Sequence, residues 1–479
     1  MNKDLPRSLP EAQGVSSSAI LAFLDGIFDN PGELHSLIVV RHGHVVAEGY
    51  WAPYSADRQH LLYSLSKSFT STAAGFAIEE GALRLDDKVV SFFPDSLPAE
   101  VSPNLAAMTV RDLLVMGTGH TSEPSFWSAD GSIARAFLAT PVEKAPGTHF
   151  LYNTPATYMV SAIVKKATGQ DVVAYLQSRL FEPLGIATPK TERCPLGIPL
   201  GGTGMYVTTN DIAKFGQVYL QRGVWNGERL LSEDWIETAT TKQISNGDDP
   251  ESDWAQGYGF QFWRCRHDAY RGDGAFGQYC VVLPEQDTVV AITSGVPDMG
   301  HILNLIWERL LPGLQASALP EDPAAAAALS DRLKALSIRG PEGAAESPVA
   351  TGVSGRTYHF PENDQGITTA RLDFDPDGVA LHLQDTWGEH TVAFGMGKWR
   401  SGTTTFLMKR ISPALPFETA ATAGQAAWTD AGTLTAKLCL LDTPFCPILT
   451  FDVSGDTLIL TVAGSIGFGP SERSPIVGR

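Results

Sequence analysis

An Ala- and Pro-rich stretch at residues 316–350, ASALPEDPAAAAALSDRLKALSIRGPEGAAESPVA, divides the chain into two parts of unlike pattern. Before it, strand-like runs such as Ser36–Val40 alternate with amphipathic helical stretches and Gly-rich turns. After it, short alternating runs are punctuated by turn residues. Leu372-Asp-Phe-Asp, Pro376-Asp-Gly378 and Val379-Ala-Leu-His-Leu383 spell a hairpin, as do 448–453 and 458–462 around Ser454-Gly-Asp456. A single core stops growing at roughly 250–300 residues, so 479 residues call for more than one domain. The expected organisation is a catalytic-type domain over 1–315 and a linker over 316–350 with a helix around Pro323–Ile338. A β domain, a small antiparallel barrel or sandwich, is expected over 351–479.

Charge narrows the partners. The formal net charge is −18, from 53 acidic and 35 basic residues, and no basic stripe is present, which argues against nucleic acid. No apolar run approaches the roughly 18 residues of a membrane span, and no apolar segment follows the N-terminal MNKDLPRSLPEAQG, so neither a membrane anchor nor a secretory signal is expected. Five scattered cysteines (Cys194, Cys265, Cys280, Cys439, Cys446) without a CxxC pair fit a reducing compartment, and the cytoplasm is the expected location. The sequence carries no signal for an oligomeric state.

The chemistry concentrates in three segments. Leu61-Leu-Tyr-Ser-Leu-Ser-Lys-Ser-Phe-Thr-Ser71 leads into an Ala-rich helical run that stops at Gly81. If Ser64 opens that helix, Lys67 lies one turn further on the same face. An amine of lowered pKa can take the proton that keeps a serine hydroxyl unreactive. The helix start also offers the Ser64 N–H to a developing oxyanion. Ser64–Lys67 is the only Ser-x-x-Lys in the chain; without chemistry it reads as a polar helix terminus. In the second segment, Pro146-Gly-Thr-His-Phe-Leu-Tyr-Asn-Thr154, Tyr152 is expected in a loop facing a cleft, where a phenol near a lysine can relay a proton. By itself it reads more readily as a half-buried packing residue. The third segment, Arg271-Gly-Asp-Gly-Ala-Phe-Gly-Gln278, contains G-x-G-x-x-G, but β-rich runs follow it where a dinucleotide site needs a helix. Its glycines suit a turn that lets backbone approach a substrate. His42-Gly-His44 has no third metal ligand nearby and reads as a turn, and no Gly-x-Ser-x-Gly elbow exists. Trp127, Trp254 and Trp263 are candidates either for a cleft or for the core.

In this order the three segments resemble the serine β-lactamase and penicillin-binding protein superfamily. The likeness is to its class C-like branch, with family VIII carboxylesterases, D-aminopeptidases and nylon-oligomer hydrolases. It spans roughly residues 10–312 and includes Gly49-Tyr-Trp51, Leu113–Gly119, Phe181-Glu-Pro-Leu-Gly185 and Gly201–Lys214. It implies an α+β fold in which an antiparallel five-stranded sheet flanked by helices joins a helical subdomain, with Ser64 between them. The last 130 or so residues resemble the lipocalin-like β-barrel that some members carry.

Carried over by residue, the resemblance implies Ser64 as the acylated nucleophile, Lys67 as its proton acceptor and Tyr152 as the tyrosine of Tyr-x-Asn. The oxyanion would rest on the backbone N–H groups of Ser64 and Ala275. Thr154, Gly272, Asp273 and Gly274 would line the substrate site, and neither metal nor organic cofactor is called for. Two positions depart from the pattern: Thr154 stands where Asn is usual, and Asp273 where Lys or His is usual. An acidic Asp273 does not attract a substrate carboxylate, although Arg271 is close enough in sequence to compensate. Small esters or amides are therefore the expected substrates. A D-amino acid-specific peptidase, a weak β-lactamase and a catalytically silent penicillin-binding-type protein are the alternatives.

Overall fold

The computed structural model describes residues 3–28, 32–126, 131–412, 414–469 and 473–479. The N-terminal part is built on a six-stranded sheet. Its strands are β1 (Glu33–Arg41), β2 (His44–Tyr50), β3 (Trp263–Arg264), β4 (Tyr270–Gly274), β5 (Gln278–Leu283) and β6 (Thr288–Gly295), in the order β2-β1-β6-β5-β4-β3. All pairings are antiparallel. The sixth strand beyond the five expected is β3, a two-residue edge segment paired with β4. Strands β1, β5 and β6 are apolar on both faces because both faces are covered. The turn between β1 and β2 is His42-Gly43, both at positive φ, the geometry that matches strand twist in two-residue hairpins.

One face carries α1 (Ser17–Phe28) and the 299–310 helical segment, closing a core around Phe23, Leu24, Ile292 and Trp307. The other face meets a helical layer. Its principal members are α2 (Ser66–Glu79), α3 (Thr154–Thr168) and α4 (Thr209–Leu220), packed around Phe69, Ala73, Met159, Ile163 and Phe215. Each helix starts where its sequence supplies the means. Asn153 accepts from the Ala156 N–H at 2.8 Å to cap α3, and Thr208 and Asp211 form a capping box on α4.

Helix α5 (Pro323–Lys334), capped by Asp322, lies against α1, where Arg332 meets Asp25 at 3.1 Å. The strands that follow are β7 (Thr357–His359), β8 (Thr369–Asp375), β9 (Gly378–Asp385), β10 (Gly388–Met396), β11 (Arg400–Thr404), β12 (Ala420–Asp430), β13 (Thr433–Leu440), β14 (Ile448–Ser454), β15 (Thr457–Ala463) and β16 (Ile476–Gly478). They form one sheet in the order β7-β8-β9-β10-β12-β13-β14-β15-β16, with β11 also paired to β12. Both hairpins expected at 372–383 and 448–462 are present, as β8–β9 and β14–β15. Neighbours are antiparallel except β10 and β12, which meet in parallel over two residues. His359 and Arg479 exchange backbone hydrogen bonds at 2.9 and 3.1 Å, bringing the two ends of the sheet together into a nearly closed barrel. Alternate residues such as Leu458, Leu460 and Val462 fill its interior.

The barrel is joined to the first sheet by the turn after β13. Cys439, Leu441 and Cys446 share one apolar cluster with Trp51 and Tyr54. The Tyr54 hydroxyl donates to the Thr443 carbonyl at 3.3 Å, Lys437 pairs with Glu33, and the Leu61 N–H donates to the Asp442 carbonyl at 2.9 Å. Leu61 lies three residues before Ser64, so the barrel holds the backbone that leads into the candidate nucleophile. Among the described residues, no helix is long and apolar enough to cross a membrane.

Candidate active site

Ser64 lies in a single 3₁₀ turn, Tyr63–Leu65, that runs directly into α2; the α-helix proper begins at Ser66, two residues later than the sequence suggested. Tyr63 has φ of 46°, a left-handed conformation that costs a side-chain-bearing residue about 1–3 kcal/mol. Surrounding contacts hold it there: its ring is edge-on to Phe276 and Phe468, at centroid separations of 5.5 and 5.7 Å. The Met205 N–H donates to Ser66 Oγ at 3.1 Å and fixes the first turn of α2.

Lys67 is 1% exposed, and its Nζ is 2.9 Å from Ser64 Oγ. The same nitrogen is 2.7 Å from the Gly202 carbonyl and 3.4 Å from Thr154 Oγ1. Burial pulls the Lys67 ammonium down to about 7, outweighing the opposing pull of Glu123 and Asp273. A neutral amine has two N–H groups and one lone pair. Gly202 and Thr154 can take the first two, which leaves the lone pair for the Ser64 hydroxyl. Tyr152 reaches the same hydroxyl from the loop before α3, and Lys67 Nζ stands 4.8 Å from the centre of its ring. Burial, reinforced by Asp273, raises its phenol well above the ordinary range, so it is a neutral donor at neutral pH. Stacking on Trp263 at 5.1 Å and an edge contact with Tyr258 fix the ring.

Strand β4 passes beside the nucleophile turn because its glycines permit it. A Cβ on Gly274 would lie 1.9 Å from the Leu62 carbonyl oxygen and 3.1 Å from the Ser64 nitrogen. One on Gly272 would lie 2.5 Å from Ser68 Oγ. Asp273, between them, is 6% exposed and receives Arg271 Nε at 2.8 Å. Arg271 is fully buried, donates also to the Asp253 carbonyl at 2.8 Å, and lies over Trp254. Its charge is therefore spent within the wall, on Asp273 itself.

Ser64, Tyr152, Thr154, Asp273 and Ala275 line one cavity of about 930 Å³, whereas Gly272 and Gly274, on either side of Asp273 in β4, are buried against the nucleophile turn and α2 and do not line it. Trp254 and Trp263 are in its wall, whereas Trp127 lies outside the described residues. His42 and His44 occupy the β1–β2 turn, away from this cavity. No group of three or more histidine, cysteine, aspartate or glutamate side chains is placed to hold a metal ion among the described residues.

Several lining residues had no motif to announce them. The Gly202 carbonyl belongs to the Gly201–Lys214 segment noted above, but its role as an acceptor for Lys67 needs the fold. Glu123 accepts the Thr154 N–H at 2.9 Å. Glu192, raised by burial, accepts from Tyr206 at 3.3 Å and from Ser412 at 3.1 Å. Ile411, Ser412 and Phe468 come from the barrel. The lining thus holds three carboxylates, Glu123, Glu192 and Asp273, and no arginine, histidine or lysine among the described residues.

A 6-aminohexanoate-dimer hydrolase of Paenarthrobacter ureafaciens is 26% identical over 288 residues, 55% of this chain and 73% of that protein. Esterase EstB of Burkholderia gladioli is 25% identical over 37% of this chain, which spans about half (53%) of the esterase. A penicillin-binding protein homologue from Caulobacter crescentus shares the fold, with a TM-score of 0.51, 16% identity, and coverage of 62% of this chain and 97% of that one. The profile of the family described as Beta-lactamase matches residues 34–301, more than half of the chain and the stretch that carries Ser64, Lys67 and Tyr152, and the chain belongs to that family.

Proposed function

We propose that this hydrolase cleaves small esters or amides through an acyl-enzyme on Ser64. The observation that carries the proposal is the buried Lys67 amine, 2.9 Å from Ser64 Oγ and lowered to about 7. Neutral Lys67 takes the Ser64 proton as the oxygen attacks the substrate carbonyl. The oxyanion rests on the N–H groups of Ser64 and Ala275, which the glycines of β4 bring close. Tyr152, a neutral phenol bonded to the Ser64 hydroxyl, passes the proton to the leaving group, and water then releases the acyl group. No step calls for a metal or cofactor.

Named relatives that hydrolyse an amide-linked dimer or an ester support both bond types. Thr154 and Asp273 form the substrate wall in this reading. The internal pairing of Arg271 with Asp273 disfavours substrates that need a free cation for a carboxylate, penicillins among them. We assign the catalytic domain to 1–315, the linker to 316–350 and the β domain to 351–479. The last is read as lipocalin-like because its strands follow one another round a nearly closed sheet. Five buried free thiols support a cytoplasmic setting.

A fluorophosphonate probe tests the assignment. The wild-type protein is expected to gain one label, found by mass spectrometry on Ser64 and lost in Ser64→Ala. Folded wild-type protein that takes no label refutes the proposal.

A further inference from the structure

Phe468 is 79% exposed, more than any other large apolar side chain among the described residues. Exposed phenylalanine forfeits the favourable burial of a large apolar surface. Its position accounts for it. The residue sits in the segment between β15 and β16, whose base is fixed: Ile466 is buried, and Ser465 Oγ accepts the Cys446 N–H at 3.1 Å. From there the ring reaches the cavity that holds Ser64, 5.7 Å from the Tyr63 ring and 4.8 Å from that of Phe276. Ile411 and Ser412 reach the same cavity from the barrel, and the Ser412–Glu192 hydrogen bond ties that side to the N-terminal wall.

We infer that Phe468 is a specificity-determining residue: with Tyr63 it forms an aromatic subsite for an aryl-bearing acyl group of the substrate, and the buried Phe276 ring, in contact with both, supports it. The inference rests on the serine hydrolase reading above and goes beyond it in naming the acyl class. Tyr63 precedes Ser64, and Phe276 follows Ala275, so both aromatic residues adjoin the proposed oxyanion donors along the chain. Tyr152, which delivers the leaving-group proton, is held instead by Trp263 and Tyr258. The leaving group therefore belongs to the Tyr152 wall, and the acyl substituent to the Tyr63–Phe468 side. An aryl ring there gains edge-to-face partners and covers the open face of Phe468.

The experiment compares kcat/KM for p-nitrophenyl phenylacetate and p-nitrophenyl acetate, which share a leaving group and differ only in the acyl part. Wild type is expected to favour phenylacetate. In Phe468→Ala the phenylacetate-to-acetate ratio falls about tenfold, the scale of a lost apolar contact in a pocket, and Phe468→Leu restores part of it. Thermal unfolding of each variant confirms that the exposed substitution leaves the fold intact. A wild-type preference for acetate, a ratio that stays the same in Phe468→Ala, or an equal loss on both esters overturns the inference. Fluorophosphonate labelling of wild type separates the two levels. Labelled protein with an unmoved ratio rejects only the role of Phe468, whereas unlabelled protein rejects the hydrolase reading and this inference together.

Discussion

Lys67 carries the strongest conflict between folding and function in the chain. A lysine of ordinary pKa 10.5 is held at about 7 by burial, so it sheds its proton on folding across that interval. The unfolded state then binds more protons than the native state between pH 7 and 10.5, and this residue makes stability rise with pH over that window. Wild type is therefore expected to gain stability relative to Lys67→Met as pH rises from 7 toward 10, measured by urea unfolding; a constant difference contradicts a depressed Lys67. In the proposed mechanism the same titration sets activity, because only the neutral amine can accept the Ser64 proton. The value of kcat/KM then falls about tenfold for each pH unit below 7. The spacing of Ser64 and Lys67 was legible in the sequence because a helix turns one spacing into one face. The depressed pKa was not, since it depends on the layer that buries the amine.

At the scale of elements, the site is the crossing of the turn before α2 with strand β4. The crossing distance is set by hydrogen atoms in place of side chains, and Gly274→Ala puts a methyl group 1.9 Å from the Leu62 carbonyl oxygen. Backbone must move, and it is the backbone that presents Ser64 and Ala275. Gly274→Ala is expected to cost on the order of 10²-fold in kcat and to lower the melting temperature; circular dichroism and ester hydrolysis check both, and wild-type activity in this variant argues against β4 as an oxyanion strand. That β-rich runs follow this G-x-G-x-x-G was readable in the sequence, but the glycines do not all form the turn expected there: Gly272 and Gly274 belong to strand β4, and only Gly277, at positive φ, lies in the turn after it. What the segment packs against was not readable, because Leu62 and Gly274 are brought together only by the sheet. The hairpins at 372–383 and 448–462 were plain in the sequence because alternation and turn residues are local. The edge strand β3 was not, as its two residues are too few to show a period.

At the scale of the molecule, the N-terminal part and the barrel are coupled through buried surface. Cys439, Leu441 and Cys446 complete the cluster that includes Trp51 and Tyr54, and the Asp442 carbonyl holds Leu61. Calorimetry is expected to show one unfolding transition for the full chain, and two well-separated transitions would contradict a shared core. The composition break at 316–350 suggested a division, but nothing in it told that residues 411, 412 and 468 reach the cavity that holds Ser64. Contacts between residues so distant in the chain leave no local pattern. The acidic lining has its own consequence for turnover. In the proposed mechanism every cycle ends with a carboxylic acid, which ionises at neutral pH in a cavity lined by Glu123, Glu192 and Asp273, with no cationic side chain of the described lining to retain it. In that reading the lining favours release of the anionic product, and added carboxylates are expected to inhibit ester hydrolysis only weakly.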